Sequence, residues 1–411
     1  MWWRPKKRAI FALFLGFLAG CASEAPHPIA AALIESPSAS PDPQPTPLVA
    51  EPSTPVRVMV GGDLLPHRPR LSPPSRIGAA LAPLAPLFAQ ADVVVANYET
   101  STGDPDAFGD APMRFSASAA WMEEISRAHV RALTLANNHA CDLGRKGLSA
   151  SVAAAKALDV IALGAAEHDP WTASTLVTRD GHRVCAVAWT TIVNSPGCSK
   201  GGQLAVAPVG SEGTARVRQA VEAARAGGCD AVVAILHGGL EYVPQIRAVR
   251  GQAMTAAEAG ADAVVIHHPH VPSMVEVLTT KDARRVPIFM SVGNLVSNQG
   301  ESWKPTFPAT QKNRHLVYMN AWTRLGVIAD LSWSWATPDR VRGELTWGYH
   351  LVWTDNAHAY DRADPMPAIA TRVFDAETDL AIVKRLAADR RGPTALFESP
   401  CWLEKSPNRC R

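Results

Sequence analysis

Between Val56 and Asn294 the chain repeats one pattern: a short apolar run, an abrupt polar ending, then a stretch with helical spacing. Residues 56–60 close on Gly61-Gly62-Asp63, 93–96 on Asn97-Tyr98-Glu99, and 132–136 on Asn137-Asn138-His139. Further on, 231–236 close on His237-Gly238-Gly239 and 263–266 on His267-His268-Pro269-His270. The intervening 77–90 (broken by prolines), 118–128, 144–158, 213–226 and 247–259 carry helical spacing. Apolar strands alternating with helices predict βαβ units with right-handed crossovers, and hence an α/β fold. Strands are also expected at 160–163, 184–189, 275–278 and 286–292, the last closing on Gly293-Asn294.

From Gly326 the grammar changes. Residues 326–335 and 341–353 alternate and are rich in Trp, consistent with antiparallel strands closing the fold, and 375–389 reads as a terminal helix. The Trp cluster suits either a glycan platform or core packing, with packing the commoner role. A chain of 411 residues, almost half apolar, has ample material for a core. Its net charge of +2, spread over many acids and bases, makes no case for nucleic acid.

The first residues stand apart. Arg4, Lys6, Lys7 and Arg8 precede the apolar run 9–18, which is a signal layout too short for a stable membrane span. Leu18-Ala19-Gly20-Cys21 looks like a bacterial lipobox, so residues 1–20 are expected to be removed and Cys21 lipidated. The protein would then be exported and held on the cell membrane by its lipid. Ala22 replaces the aspartate that usually retains such proteins in the inner membrane, which favours the outer one in a Gram-negative cell. Residues 21–55, rich in Pro, Ser and Ala, read as a disordered spacer, 56–395 as the folded domain and 396–411 as a tail. Six further cysteines allow three disulfides of undetermined connectivity, with Cys401–Cys410 the first choice and no role assigned to Cys141.

The polar strand ends carry the chemistry. Taken singly, Asp63 after two glycines reads as a turn residue, Glu99 as a surface acid and His237 as a core histidine; Asn137 and Asp142 read as turn formers. Taken together, Asp63, Glu99, Asn138, His237, His268 and His270 follow apolar strands, and parallel neighbours would bring them to one edge of a sheet. Carboxylate, amide and imidazole suit a borderline divalent ion such as Mn, Fe, Zn or Co. His268 and His270, alternate residues of an extended segment, would point the same way and grip one centre.

At this point G-G-D-L-L-P-H, A-N-Y-E, L-A-N-N-H-A-C-D-L-G-R-K-G-L, L-H-G-G-L-E-Y, G-A-D-A-V-V-I-H-H-P-H-V and F-M-S-V-G-N-L-V-S-N-Q, running from about Val58 to Gln299, resemble the CapA family of poly-γ-glutamate capsule proteins. That family belongs to the calcineurin-like metallophosphatase superfamily. The resemblance implies a four-layer α/β/β/α sandwich holding one or two divalent ions, Mn, Fe or Zn. Asp63, Glu99, Asn138, His237, His268 and His270 would form the metal shell, with Glu99 bridging. His139 would be the acid that protonates the leaving group, and His67, Asn97, Asn137, Glu241 and Asn294 would support the shell or the substrate. Three departures weaken a direct transfer. Leu65 stands where the superfamily has a histidine, Asn97-x-Glu99 replaces its G-D-x-x-D, and Val265-Ile266 precede the histidines where the family usually has Gly. His267 is the neighbour least expected to be a ligand.

A divalent ion in such a shell acidifies water and polarises an electrophile, which suits phosphoester and amide hydrolysis alike. The resemblance therefore implies a membrane-tethered metal-dependent hydrolase in the synthesis, export or anchoring of an anionic polymer or glycan. The alternatives are a non-catalytic assembly subunit of a capsule synthase complex, and a phosphoesterase on a lipid-linked or glycan phosphate.

Overall fold

The computed structural model describes residues 54–109, 113–195, 197–198, 201–243, 247–301, 321–336, 342–356, 368–375, 377–387 and 393–399. The chain divides into residues 1–49 and 50–411, so the expected signal and Cys21 lie outside the described residues. Strands run in the order β1 (Val56–Leu64), β2 (Val93–Tyr98), a short pair β3 (Ser101–Thr102) and β4 (Ser116–Ala117), β5 (Val130–Thr134), β6 (Ile161–Leu163), β7 (Ser174–Arg179) and β8 (His182–Thr190). They continue with β9 (Ala231–His237), β10 (Ala263–His267), β11 (Val275–Thr279), β12 (Arg285–Phe289), β13 (Asn294–Val296), β14 (Leu325–Ser334), β15 (Glu344–Asp355) and β16 (Ala370–Val373). The helices are α1 (Pro74–Leu81), α2 (Ala85–Phe88), α3 (Ala119–Arg127), α4 (Gly144–Ala157), α5 (Ser211–Ala226), α6 (Arg247–Ala259) and α7 (Leu380–Ala387).

Two large sheets result. One is ordered β16-β15-β14-β1-β2-β5-β6, with β13 beside β1; the other is β11-β12-β10-β9-β8-β7. Side chains alternate across each strand, and both faces are buried, which explains the unbroken apolar runs. Val58 and Val60 of β1 share a core with Val95, Ala186, Val233 and Val265, drawn from both sheets. Met59 points the other way, into a core with Ile77, Leu81, Trp121 and Ile125 of α1 and α3. Val232 and Ala234 of β9 likewise pack on Val217, Val221, Val249 and Ala253 of α5 and α6. The fold is the expected α/β sandwich of the metallophosphatase type.

Trp322, Trp333, Trp335, Trp347 and Trp353 are buried in the core that both sheets share, so packing is their role. The short edge strands β7 and β16 carry no strong apolar signal and escape a sequence reading: Ser174, Thr178 and Arg179 in one, Thr371 and Arg372 in the other. The expected strand over 286–292 ends at Phe289. After Gly293, with φ at 64°, the chain crosses to the other sheet and β13 pairs with β1, setting Asn294 opposite Asp63. Disulfides join Cys141 to Cys198 and Cys185 to Cys229. Cys401 and Cys410 lie outside the described residues.

Candidate metal centre

The polar strand ends meet, but not at one sheet edge. Asp63, Asn97 and Thr134 stand in register across β1, β2 and β5 of the first sheet. His237 and His267 stand in register on β9 and β10 of the second. The centre forms where the carboxyl ends of the two sheets face each other, which corrects the one-edge expectation. Close approach of β1 and β13 underlies this geometry: a Cβ on Gly62 would come within 2.0 Å of the Gly293 carbonyl oxygen. Asp63 follows, buried at a strand end rather than in a turn.

Asn97 organises the first sheet's contribution. Thr134 Oγ1 and Asn137 Nδ2 both donate to its Oδ1, at 2.8 and 3.1 Å, which leaves Nδ2 to face the carboxylates. It donates to Asp63 Oδ1 at 2.8 Å and to Glu99 Oε2 at 3.4 Å, and lies 3.2 Å from His237 Nδ1. Asn138 Oδ1 lies 2.9 Å from His237 Nε2.

The second sheet supplies the imidazoles. His268 and His270 have φ of 99° and 57°, so their segment is not extended as expected. Two non-glycine residues with positive φ are strained, and such strain concentrates at functional sites. The turn still brings both rings to the centre. His270 Nδ1 lies 3.1 Å from Asp63 Oδ2 and 3.0 Å from Asn294 Oδ1, and its Nε2 is 3.7 Å from Glu99 Oε1. His268 donates its backbone N–H to Asp63 Oδ2 at 3.3 Å. His267 turns away and places Nε2 2.9 Å from the Gly61 carbonyl.

Among the described residues, two groups could hold an ion: Asp63, Glu99 and His237, and Glu99, His268 and His270, each with ligand atoms within 4.8 Å of one another. Glu99 belongs to both. Its Oε1 and His268 Nδ1 are buried with no hydrogen-bond partner. Buried acceptors are rarely left unsatisfied, and a cation would satisfy these. The mixture of nitrogen and oxygen donors fits a transition ion better than calcium or magnesium.

Electrostatics separate the ligands. Burial lowers His268 to about 3, with the charge of His270 adding to the effect, and burial likewise carries His237 well below the usual imidazole range; both present neutral nitrogens. Burial alone would lower His270, but Glu99 and the hydrogen bond to Asp63 outweigh it and raise it to about 9. Burial and the neighbouring Asp63 charge push Glu99 up. Burial would do the same to Asp63, but hydrogen bonding and charge from His270 hold it well below the carboxylate range.

Beside this shell, His139 Nδ1 pairs with Asp142 Oδ2 at 2.7 Å, and both residues are buried. Asp142 is therefore more than a turn residue: its Oδ2 also accepts the Phe115 N–H at 2.7 Å, and the Phe115 ring lies 4.5 Å from the His139 ring. Asn137 combines both readings. Its Oδ1 accepts the His139 N–H, a local turn bond, while its Nδ2 donates to Tyr98 O as well as to Asn97. A carboxylate three residues after a histidine was a signal open to sequence reasoning; the approach of Asn194, whose Nδ2 is 3.4 Å from His139 Nε2, was not. Leu65 is buried, and His67 does not take the place of the superfamily histidine: its Nδ1 accepts the Asn298 N–H at 3.0 Å and its ring meets Phe115 edge-on. Burial lowers His67 to about 3. Asn294 grips His270 from both ends, through Oδ1 on the ring and Nδ2 on the backbone carbonyl. Glu241 is half-buried, and its charge reaches Glu99 and His270.

Two facing α/β sheets with carboxylates, amides and imidazoles at their joint ends define a protein of the metallophosphatase-like class. The family model described as bacterial capsule synthesis protein PGA_cap matches residues 57–299, and the chain belongs to that family. It is similar to the capsule biosynthesis protein CapA of Bacillus anthracis, 27% identical over 240 residues that cover 57% of this chain and 56% of that protein. It is also similar to the PGA biosynthesis protein CapA of Bacillus subtilis (strain 168), 27% identical over 237 residues, or 56% of this chain and 59% of that protein. The match thus spans less than two thirds of either relative.

Proposed function

We propose that the protein is a membrane-tethered, divalent-metal-dependent hydrolase acting in the synthesis, export or anchoring of a capsule polymer such as poly-γ-glutamate. The observation that carries this reading is the buried Glu99 Oε1, which has no hydrogen-bond partner and belongs to a residue common to two ligand groups. The names of the two relatives support the polymer. Asp63, Glu99, Asn138, His237, His268 and His270 would hold Mn, Fe or Zn. Bound there, the ion supplies Lewis acidity toward the electrophile and activates water. Asn97 keeps Asp63 and Glu99 in place, and Asn294 orients His270. Asp142 accepts from His139 Nδ1, fixing the ring so that Nε2 is the atom that passes a proton to the leaving group.

Metal analysis of the purified protein and turnover assays test the reading. Bound Mn, Fe or Zn is expected, together with hydrolysis of poly-γ-glutamate that chelation abolishes. His139→Ala should lower turnover by about a hundredfold to ten-thousandfold without loss of metal. A metal-free protein with stability indifferent to chelation would instead favour an assembly subunit of a synthase complex. Hydrolysis of bis-p-nitrophenyl phosphate with no attack on the polymer would favour a lipid-linked or glycan phosphate as substrate.

A further inference from the structure

His139 and Asp142, the acid corner of the site, have a cationic neighbour that the metal centre does not use. Arg114 and Phe115 lead into β4, and the Phe115 ring lies against both His67 and His139, with centroids 5.2 and 4.5 Å away. Arg114 is thereby brought to the same corner. Its Nη2 donates to the Asp142 carbonyl at 2.6 Å, and its guanidinium lies over the Phe108 ring, 4.1 Å from the centroid. The carboxylate of that same Asp142 holds His139 Nδ1 and accepts the Phe115 N–H. One residue thus fixes both the imidazole and the guanidinium.

What Arg114 lacks is an acid. Its side chain is exposed, and among the described residues it makes no ion pair. One carbonyl takes a single N–H, whereas a guanidinium offers five in a planar fork that matches a carboxylate. Arg68 is in the same condition beside His67: it donates to the Pro105 carbonyl at 3.1 Å and forms no ion pair among the described residues. Two guanidiniums without acids therefore flank the histidines that touch Phe115.

The chemistry of a γ-linked glutamyl chain matches this arrangement. The amide nitrogen that leaves on hydrolysis is bonded to a carbon that carries a free α-carboxylate. An acid that protonates this nitrogen and a cation that holds this carboxylate have to stand close together, as His139 and Arg114 do around Asp142.

We propose that Arg114 binds the α-carboxylate of the leaving residue and so selects a chain with an anionic group beside the scissile amide, with Arg68 adding to the positive edge. The carboxylate takes the N–H groups that the Asp142 carbonyl leaves open, while that carbonyl and the Phe108 ring keep the guanidinium in place. Arg114 itself makes and breaks no covalent bond. Its place beside the scissile amide rests on the hydrolase reading above, whereas its preference for a charged chain does not.

The test reads binding apart from turnover. Full-length His139→Ala, loaded with Zn so that bound chains stay intact, is titrated by calorimetry with two short oligomers of the same backbone. One is γ-linked glutamate; the other is γ-linked isoglutamine, whose α-carboxylates are replaced by neutral carboxamides. Adding Arg114→Ala should weaken the glutamate oligomer about ten- to hundredfold, the worth of hydrogen bonds to a charged group, and leave the isoglutamine oligomer within about twofold. Arg114→Lys should recover part of the loss, since it keeps the charge but not the planar fork. With His139 restored, Arg114→Ala should raise KM for poly-γ-glutamate by a similar factor. Equal weakening of both oligomers would give Arg114 a merely structural role and overturns the proposal, as does unchanged affinity for the glutamate oligomer or a parent protein that binds neither. Should Arg114→Ala fail to fold, Arg114→Gln, which can still donate to the Asp142 carbonyl, decides in its place. Charge-selective binding that depends on Arg114, in a wild type with no turnover, removes the hydrolase reading and leaves the carboxylate subsite standing.

Discussion

In the proposed metal centre, His270 would carry a proton that an incoming ion has to displace. Its folded value of about 9 lies above the ordinary 6.5, because Glu99 and Asp63 outweigh the effect of burial. A raised imidazole contributes stability to the metal-free protein that is complete below about pH 6.5 and is lost as pH rises through 9. Metal uptake follows the opposite sign, since a ligating imidazole must be neutral: affinity rises with pH up to about 9. Binding of Zn or Mn to metal-free protein at pH 7.5 should therefore release about one proton per ion, the one held jointly by His270 and Glu99. Calorimetry in buffers of different ionisation enthalpy measures the number, and a heat independent of buffer would contradict it. His237 and His268, already neutral, contribute none.

At the scale of elements, the centre depends on how closely β1 and β13 pack. Gly62 marks a close approach: a Cβ there would stand 2.0 Å from the carbonyl oxygen of Gly293, the residue before β13. The obstacle is backbone in the middle of a sheet, so a methyl group there has no rotamer by which to escape. Gly62→Ala is expected to destabilise the fold by about 1–3 kcal/mol, as overpacking does, and to weaken metal binding by moving Asp63 away from Asn294 and His270. Thermal unfolding with and without metal checks both parts, and a variant with unchanged unfolding temperature and affinity would show that the strands separate freely. The same logic explains the segment after β10. A reading of extended, alternating residues assigns His268 and His270 to one side of a strand, whereas the chain uses two positive-φ residues to turn both rings toward Glu99.

For the whole molecule, the described residues form one α/β body, and among them no helix is long and apolar enough to cross a membrane. In the proposed reading, tethering would rest on Cys21 and the signal before it. Cys21→Ser should move the protein from the membrane to the soluble fraction of fractionated cells; continued membrane association would assign attachment to another part of the chain. Export also fits the two disulfides, Cys141–Cys198 and Cys185–Cys229, which persist in an oxidising compartment.

The sequence by itself determined the α/β class, the order of most strands and helices, and which residues end the strands, because strands buried on both faces read as unbroken apolar runs that stop where polar chemistry begins. Asp63, Glu99, Asn138, His237, His268 and His270 were read as candidates on that ground, whereas Asn97 entered only through the family resemblance. Only the tertiary structure decided that these ends belong to two sheets facing one another, that Asn294 reaches Asp63 by a crossing at Gly293, and that Asp142 and Asn194 meet the two nitrogens of His139. The physical reason is that periodicity encodes burial along one strand, whereas register between strands, and contact between sheets, depend on backbone approaches and turns in which a glycine, a positive φ or a disulfide decides the geometry. Cys141 and Cys198 illustrate it: 57 residues separate them along the chain, and nothing in their spacing joins the acid corner to the chain beyond β8.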